Sequence, residues 1–70
     1  MKNKIKIHRA IYNVTQAKLA EAIGVSRQTI NAIEKNKYVP STVLALKLAY
    51  FFKVAVEEVF ELTPDELYTK

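Results

Sequence analysis

The sequence has 70 residues, half of them hydrophobic, with no cysteine and a single glycine. A chain of this length forms one small core that buries about 60% of its unfolded surface. The lack of cysteine excludes disulfide bonds and thiolate metal sites. Because no apolar run approaches about 18 residues and no signal peptide is visible, we expect a cytoplasmic protein that does not cross a membrane.

Charge is distributed unevenly along the sequence, whose net charge is +4. Residues 1–53 hold ten Lys or Arg against two acids, a net charge of +8, whereas residues 54–70 hold one base against five acids, a net charge of −4. A basic body favours a polyanionic partner such as nucleic acid. We expect a single domain over residues 1–70, with its core in residues 3–60 and an acidic tail at residues 61–70.

The stretch from Gln16 to Lys35 predicts two short amphipathic helices, the second over residues 27–35. Thr15 and Ser26 stand where helix N-caps are needed, each directly before an apolar-periodic run. Gly24 lies between the two runs and supplies a tight turn.

Helices are also predicted on both sides of this pair. Asn13 suits the left-handed residue that ends a helix. Pro40 cannot continue a helix and so lies in a loop, and Ser41 caps the next helix. That later helix is apolar nearly all the way round, so it is either buried centrally or shared with a partner chain. The predicted spans are Asn3–Tyr12, Thr42–Phe52 and Val54–Phe60, with a last helical turn capped by Thr63.

Residues that could support catalysis or metal binding are scarce. His8 is the one histidine, and its place on an apolar helix face favours packing over a role as a base. A single glycine cannot form a Gly-rich phosphate loop, and Glu57 with Glu58 fits the first turn of a helix, where the dipole favours anions. The sequence therefore predicts no catalytic residue, no metal and no cofactor, and we do not expect an enzyme.

The spacing within residues 16–35 is typical of a helix-turn-helix. Counting from Gln16, position five is Ala20, which is small enough for two helices to cross closely, and position nine is Gly24. The apolar positions expected to pack inside are Leu19, Ile23, Val25, Ile30 and Ile33. The outer side of the second helix, rich in flexible donors, suits insertion into the DNA major groove.

The sequence resembles the Cro/cI (XRE-type) helix-turn-helix family of repressors in four segments, TQAKLA, IGVSRQTI, IEKNKY and PS. The resemblance covers residues 3–60, nearly the whole chain. It implies an all-α, compact five-helix lambda-repressor-like fold whose third helix enters the major groove. It also implies homodimers that bind two-fold related half-sites of double-stranded DNA, about one turn apart.

The resemblance further implies which residues contact DNA. Gln28 is the leading candidate for reading a base, since an amide can pair with adenine N6 and N7, and Gln16 is expected to brace Gln28. The residues implied to contact bases are Arg27, Gln28, Asn31 and Ala32. Those implied to contact the phosphate backbone are Thr15, Gln16, Thr29, Lys35, Asn36, Lys37 and Tyr38.

Other residues have implied structural roles. Family members pair an arginine of helix one with a glutamate near the end of helix three, here Arg9 and Glu34, and we expect this pair to be a brace. The expected homodimer surface consists of the fourth helix, Val56–Phe60 and the tail. Three residues depart from those usual in the family: His8, Lys53 and Ala55.

The function expected from these features is that of a DNA-binding transcriptional regulator, most simply a repressor. Two alternatives stay open. The first is an antitoxin that represses its own promoter and binds a toxin, which a neighbouring toxin gene would favour. The second is a protein-interaction module that kept the fold but not the DNA contacts, against which Gln16, Gln28 and Lys37 argue.

Overall fold

The computed structural model describes residues 1–68 and folds them into five α-helices and one short pair of strands. The predicted five-helix, mostly helical fold is confirmed, although the fifth helix lies later in the chain than expected. Within the described residues no helix is long and apolar enough to cross a membrane. The elements are β1 (Lys2–Asn3), α1 (Ile5–Tyr12), α2 (Gln16–Ile23), α3 (Arg27–Glu34), α4 (Thr42–Phe52), a 3-10 turn (Val56–Glu58), β2 (Phe60–Glu61) and α5 (Pro64–Tyr68).

Helices α2, α3 and α4 begin where the sequence predicts, because each has a side-chain cap. The hydroxyl oxygens of Thr15, Ser26 and Ser41 each accept a hydrogen bond at 3.1 Å from the backbone N–H three residues later. Each cap satisfies one of the N–H groups that lack a partner within the first turn of a helix. The three predicted helix starts are confirmed.

Left-handed residues end three of the helices. Asn13 ends α1 with φ 55°, Gly24 ends α2 with φ 80° and Lys53 ends α4 with φ 58°. The predictions for Asn13 and Gly24 are confirmed. Lys53 carries a Cβ in a conformation that glycine adopts at lower energy.

The core forms where the helices meet the segment that follows α4, and Phe52 is its largest fully buried side chain. The His8 ring stacks on Phe52 with centroids 5.2 Å apart, and the Tyr12 hydroxyl donates to the Phe52 carbonyl at 2.8 Å. His8 Nε2 lies 3.0 Å from the Glu58 carbonyl oxygen; because a carbonyl only accepts, this nitrogen is the donor. The buried hydrophobic residues of the core are Ile5, Leu19, Ala20, Ile23, Ile30, Ile33, Leu44, Leu48, Ala49, Phe52, Val59 and Phe60.

The start of the chain differs from the prediction of a helix over Asn3–Tyr12. Lys2 and Asn3 form strand β1, paired antiparallel with Glu61 and Phe60 of β2, and α1 begins at Ile5. The Asn3 side-chain oxygen accepts from the Ile5 N–H at 3.2 Å. Asn3 therefore lies before α1, and its side chain accepts a hydrogen bond from the first turn of that helix.

The segment predicted as a fifth helix over Val54–Phe60 is a 3-10 turn followed by a strand. Ala55 caps this turn without a side-chain hydrogen bond, although its N–H donates to a Glu58 carboxylate oxygen at 3.0 Å. Three Val residues in this segment lower its helix propensity, since β-branched side chains lose rotamer freedom in a helix. The Val59 carbonyl accepts from the Lys4 N–H at 2.8 Å, so pairing with the chain start replaces a further helical turn.

The last described element is α5, whose start the sequence predicts correctly. The Thr63 hydroxyl accepts from the Glu66 N–H at 3.2 Å, and the Glu66 carboxylate accepts from the Thr63 N–H at 2.9 Å, which is a capping box. The Met1 amine lies 2.8 Å from Glu66, and this hydrogen bond lowers the pKa of the Glu66 carboxyl. Residues 69–70 of the predicted tail lie outside the described residues.

Candidate nucleic-acid interface

Helices α2 and α3 form the helix-turn-helix. The N–H groups of Gly24 and Val25 both donate to the Ala20 carbonyl, at 2.9 and 3.0 Å, which closes the turn. A Cβ placed on Gly24 would meet no atom within 4 Å, so the turn requires glycine for its positive φ and not for space. The predicted role of Gly24 is confirmed, and Ala20 is buried, with 3% of its surface exposed.

Helix α3 is held by its apolar side and leaves its polar side open. Ile30 and Ile33 have 0% and 1% of their surface exposed. Arg27 and Gln28, on the first turn of α3, are exposed. The apolar positions of the motif pack inward as predicted; Val25 is half-buried against the core.

The remaining residues expected at the bases are less open. Asn31 and Ala32 are half-buried, and Asn31 lines a pocket together with Gln16, Arg27 and Gln28. This pocket lies between the start of α2 and the outer side of α3. The structure therefore brings three of the four predicted base-contacting residues to one place, with Ala32 one position further along α3.

The resemblance led us to expect that Gln16 braces Gln28, but Gln16 bonds two other residues of α3. Its amide NH2 donates to Asn31 Oδ1 at 3.2 Å and to Glu34 Oε1 at 3.1 Å. Asn31 and Glu34 lie three residues apart and share one side of α3, which is the side that the start of α2 faces. Gln28 lies three residues before Asn31, lines the same pocket as Gln16 and is exposed.

Arg9 and Glu34 form the expected ion pair between α1 and the end of α3. The guanidinium binds in a bidentate manner, with Nε 2.6 Å from Glu34 Oε2 and Nη2 3.1 Å from Oε1. A third nitrogen donates to the Val14 carbonyl at 3.1 Å. The exposed fractions of the two side chains are 17% and 9%, so the pair is largely enclosed by protein.

Two predicted backbone-contacting residues lie at helix starts, where Thr15 caps α2 and Thr29 bonds the cap of α3. The Thr15 hydroxyl accepts from the Lys18 N–H, so the N–H groups of Gln16 and Ala17 have no partner within the helix. Gln16 and Ala17 line a shallow pocket together with Arg27. Thr29 is half-buried, and its hydroxyl lies 2.9 Å from the Ser26 hydroxyl. Thr29 therefore supports the cap of α3, and its hydroxyl is partly engaged within the protein.

The other predicted backbone-contacting residues follow α3. Lys35, Asn36, Lys37 and Tyr38 are all exposed, and Asn36 adopts a left-handed conformation with φ 59°. The Asn3 amide donates to the Ile33 carbonyl at 2.9 Å and to Asn36 Oδ1 at 3.1 Å. Strand β1 therefore holds the end of α3 and the loop after it.

The sequence did not predict the role of Asn3 in holding the end of α3. Asn3 and Asn36 are 33 residues apart, so no local pattern connects the two. One signal was present: Lys2, Lys4 and Lys6 alternate with other residues, and period-two alternation is typical of a strand. The exposed Lys2 and Lys4 lie on either side of Asn3 and add positive charge near the end of α3.

The charges around α3 favour an anionic partner. Arg27, Lys35 and Lys37 are exposed, and the one acid of α3, Glu34, is paired with Arg9. Most of the exposed acids lie in residues 57–66, beyond α4. Among residues 1–68 no group of His, Cys, Asp and Glu side chains could hold a metal ion.

Comparisons with known proteins agree with this arrangement. The family model described as helix-turn-helix, of the Cro/cI (XRE) type, matches residues 5–59. An HTH-type transcriptional regulator of Methanocaldococcus jannaschii is 58% identical over 66 residues, which are 94% of this chain and all of that protein. The HTH-type transcriptional regulator YgzD of Bacillus subtilis is 53% identical over 62 residues, 89% of this chain and 94% of that protein.

Two solved structures are similar in fold. The restriction-modification controller protein C.AhdI of Aeromonas hydrophila superposes with a TM-score of 0.75 at 26% identity, over 81% of this chain and 86% of that one. A hypothetical transcription factor, NHTF, from Neisseria superposes with a TM-score of 0.73 at 20% identity, over 94% of this chain and 76% of that one. The chain belongs to the Cro/cI (XRE-type) helix-turn-helix family of DNA-binding transcriptional regulators.

Proposed function

We propose that this protein represses transcription by placing α3 in the major groove of its operator as a homodimer. The observation that carries the proposal is the orientation of α3, which turns Ile30 and Ile33 inward and leaves Arg27 and Gln28 exposed on its first turn. The N-terminal residues of a recognition helix are the ones that reach base edges. Arg27 can pair with guanine O6 and N7, and Gln28 with adenine N6 and N7.

Contacts with the phosphate backbone would flank α3 on both sides. On one side the free N–H groups at the start of α2, at Gln16 and Ala17, suit a phosphate oxygen, since a helix N-terminus favours anions. On the other side Lys35 and Lys37 are exposed beyond the end of α3. Contacts of this kind set the position of the protein and make its affinity depend on salt.

The homodimer surface that we propose contains fewer residues than the surface expected from the sequence. Val59 and Phe60 are buried within the chain, with 1% and 8% of their surface exposed, so they cannot face a partner. Helix α4 leaves Val43, Leu46 and Tyr50 open, and these line an apolar groove with residues 22–24 at the end of α2. We call this groove the α4 surface. Its burial by a second copy would remove from water the large apolar side chains that α4 leaves exposed.

Repression would then follow from occupancy. A dimer on two half-sites about one helical turn apart covers the DNA that a polymerase needs. Within residues 1–68 the protein consists of the helix-turn-helix and the elements that support it, which fits control by its concentration.

The proposal is tested by selecting bound fragments from genomic DNA and sequencing them. We expect one enriched sequence with two inverted half-sites whose centres are about 10 base pairs apart. The matched control is the variant with Arg27→Ala and Gln28→Ala, both at exposed positions, which should fold normally and enrich no such sequence. Retention of all fragments alike by the unsubstituted protein, or the same enriched sequence with the control variant, would contradict the proposal.

A further inference from the structure

We infer, resting on the proposed function, that Asn3 of strand β1 fixes the side-chain amide of Asn36 so that the Asn36 NH2 group binds a phosphate of the DNA backbone. Asn36 touches the DNA, and Asn3 is a positioning residue that acts through it. The two side chains meet at the end of α3, where Asn3 Nδ2 lies 3.1 Å from Asn36 Oδ1. The start of the chain thereby takes part in binding DNA.

The orientation of the Asn3 amide is determined by the backbone on both sides of it. The Asn3 oxygen accepts from the Ile5 N–H at 3.2 Å, and the Asn3 NH2 donates to the Ile33 carbonyl at 2.9 Å. Because a backbone N–H only donates and a backbone carbonyl only accepts, the two ends of this amide cannot be exchanged. Asn3 therefore presents hydrogens, and not its oxygen, to the loop after α3.

The orientation of Asn36 follows from that of Asn3. An amide NH2 has two hydrogens; the Asn3 NH2 directs one to the Ile33 carbonyl and the other to Asn36. The Asn36 atom that faces it has to accept, so it is Oδ1. The NH2 end of the exposed Asn36 side chain is left for an external group. Since a phosphate only accepts hydrogen bonds, this is the end of the amide that can bind one, and it is turned outward before DNA arrives.

The charges at the end of α3 also suit a phosphate. The last carbonyls of a helix form the negative end of its dipole and disfavour an anion. Here the Ile33 carbonyl accepts both from the Asn3 NH2 at 2.9 Å and from the Asn36 N–H at 3.0 Å. Lys35 and Lys37, the exposed neighbours of Asn36 in the chain, add positive charge. The Asn36 NH2 therefore lies in a region that favours an anion although it follows a helix C-terminus.

The backbone of Asn36 provides a suitable variant for the test. Asn36 has φ 59°, a conformation that glycine adopts without strain, so Asn36→Gly removes the amide and keeps the loop. Asn3→Ala removes the positioning bond and keeps the Asn36 amide. Each variant should bind the selected operator about three- to tenfold more weakly, the range of one net hydrogen bond. The double variant should bind as Asn36→Gly does, because Asn3 acts through Asn36.

Two further readouts separate this contact from the others on the DNA-binding side. A neutral amide does not take the place of a counterion, so the salt slope should stay unchanged in both variants, unlike in Lys37→Ala. A phosphate contact carries no sequence information, so both variants should select the same operator as the unsubstituted protein.

The phosphate itself is located by replacing each operator phosphate in turn with a neutral methylphosphonate. A hydrogen bond to a charged oxygen is stronger than one to a neutral oxygen. At one phosphate the unsubstituted protein should therefore lose about threefold more affinity than Asn36→Gly or Asn3→Ala loses. In the unsubstituted protein, the nuclear magnetic resonance signals of the Asn36 NH2 should shift on binding the operator, and the shift should be lost with methylphosphonate at that position.

Three results would each overturn the inference and leave the proposed function standing. The first is an equal loss of affinity from Asn3→Ala with and without Asn36→Gly, which would make Asn3 a merely structural residue. The second is a methylphosphonate profile that is the same in the unsubstituted protein and in Asn36→Gly. The third is an Asn36 NH2 signal that does not move when the operator binds. Selection of no sequence at all would overturn both proposals.

Discussion

At the scale of single residues, Glu34 connects the polar side of α3 to α1 and to the start of α2. A carboxylate that is 9% exposed is unfavourable unless its oxygens are paired. Here one oxygen accepts from Arg9 Nε, and the other accepts from both Arg9 and Gln16. These bonds connect α1, the start of α2 and the end of α3. The orientation of α3 against the rest of the protein therefore rests on a satisfied set of polar contacts as well as on Ile30 and Ile33.

The residues that the sequence predicts correctly are those whose role depends on near neighbours. Thr15 and Ser26 cap helices because the N–H groups they bond lie three residues away in the chain. The partner of Gln16 could not be predicted in this way. A glutamine at the start of α2 can reach several residues on α3, and in this structure its amide bonds Asn31 and Glu34.

At the scale of elements, local sequence predicts most helix bounds and fails where residues far apart in the chain pair with each other. Helix α4 ends at Phe52 as expected, although Lys53 takes the left-handed conformation in place of the usual glycine. The Val54–Phe60 segment was wrongly expected to be helical. Its last residue, Phe60, pairs with Asn3, and the next residue, Glu61, pairs with Lys2. A local sequence pattern cannot predict a contact between residues so far apart in the chain.

The left-handed conformation of Lys53 gives a prediction about stability. The left-handed conformation costs an L-residue about 1–2 kcal/mol, and a glycine at this position would avoid that cost. Glycine has more conformational freedom in the unfolded chain, which offsets about 0.5–1 kcal/mol of the stabilisation. Lys53→Gly should therefore raise the free energy of unfolding by about 0.5–1 kcal/mol, and the melting temperature by about 4 °C. Circular dichroism measures the free energy of unfolding during chemical denaturation and the melting temperature during thermal denaturation.

The matched control is Lys53→Ala, which removes the same charge but keeps the Cβ. It should not raise the stability of the protein. An equal gain in both variants would show that the charge of Lys53, and not its backbone conformation, is the source of the effect.

At the scale of the whole molecule, the chain start and the segment after α4 together hold the end of α3 and the loop that follows it. Strand β1 is paired to β2, and from there Asn3 bonds the end of α3 and Asn36 in the following loop. The segment 54–61 is thereby connected to the helix proposed to read DNA. Helix α2 contributes to both surfaces, with Gln16 and Ala17 at its start beside Arg27 and residues 22–24 at its end on the α4 surface. The proposed DNA contacts and the α4 surface therefore use different side chains.

The α4 surface gives a prediction about assembly. Leu46 lies in its groove, and Leu46→Asp would place a carboxylate where a second copy packs, which is unfavourable when the charge has no partner. We expect the dimer to dissociate at least tenfold more readily, about 1.4 kcal/mol. Analytical ultracentrifugation over a range of concentrations measures this.

Ile11→Asp provides the control for assembly, because Ile11 is 70% exposed on α1 and lies outside the α4 surface. Ile11→Asp should leave the dimer unchanged. A protein that is monomeric at every concentration, or equal weakening by both substitutions, would show that α4 is not the dimer surface.

The central claim is that the exposed first turn of α3 reads bases, and the most direct measurement is the ratio of affinities for the selected operator and a scrambled duplex. We predict that Gln28→Ala lowers this ratio by roughly 5- to 150-fold, or about 1–3 kcal/mol, because it removes a base contact. Lys37→Ala should weaken both duplexes alike and reduce the salt slope by about one. A ratio that is unchanged in Gln28→Ala would contradict the assignment of α3 as the helix that reads DNA sequence through this residue.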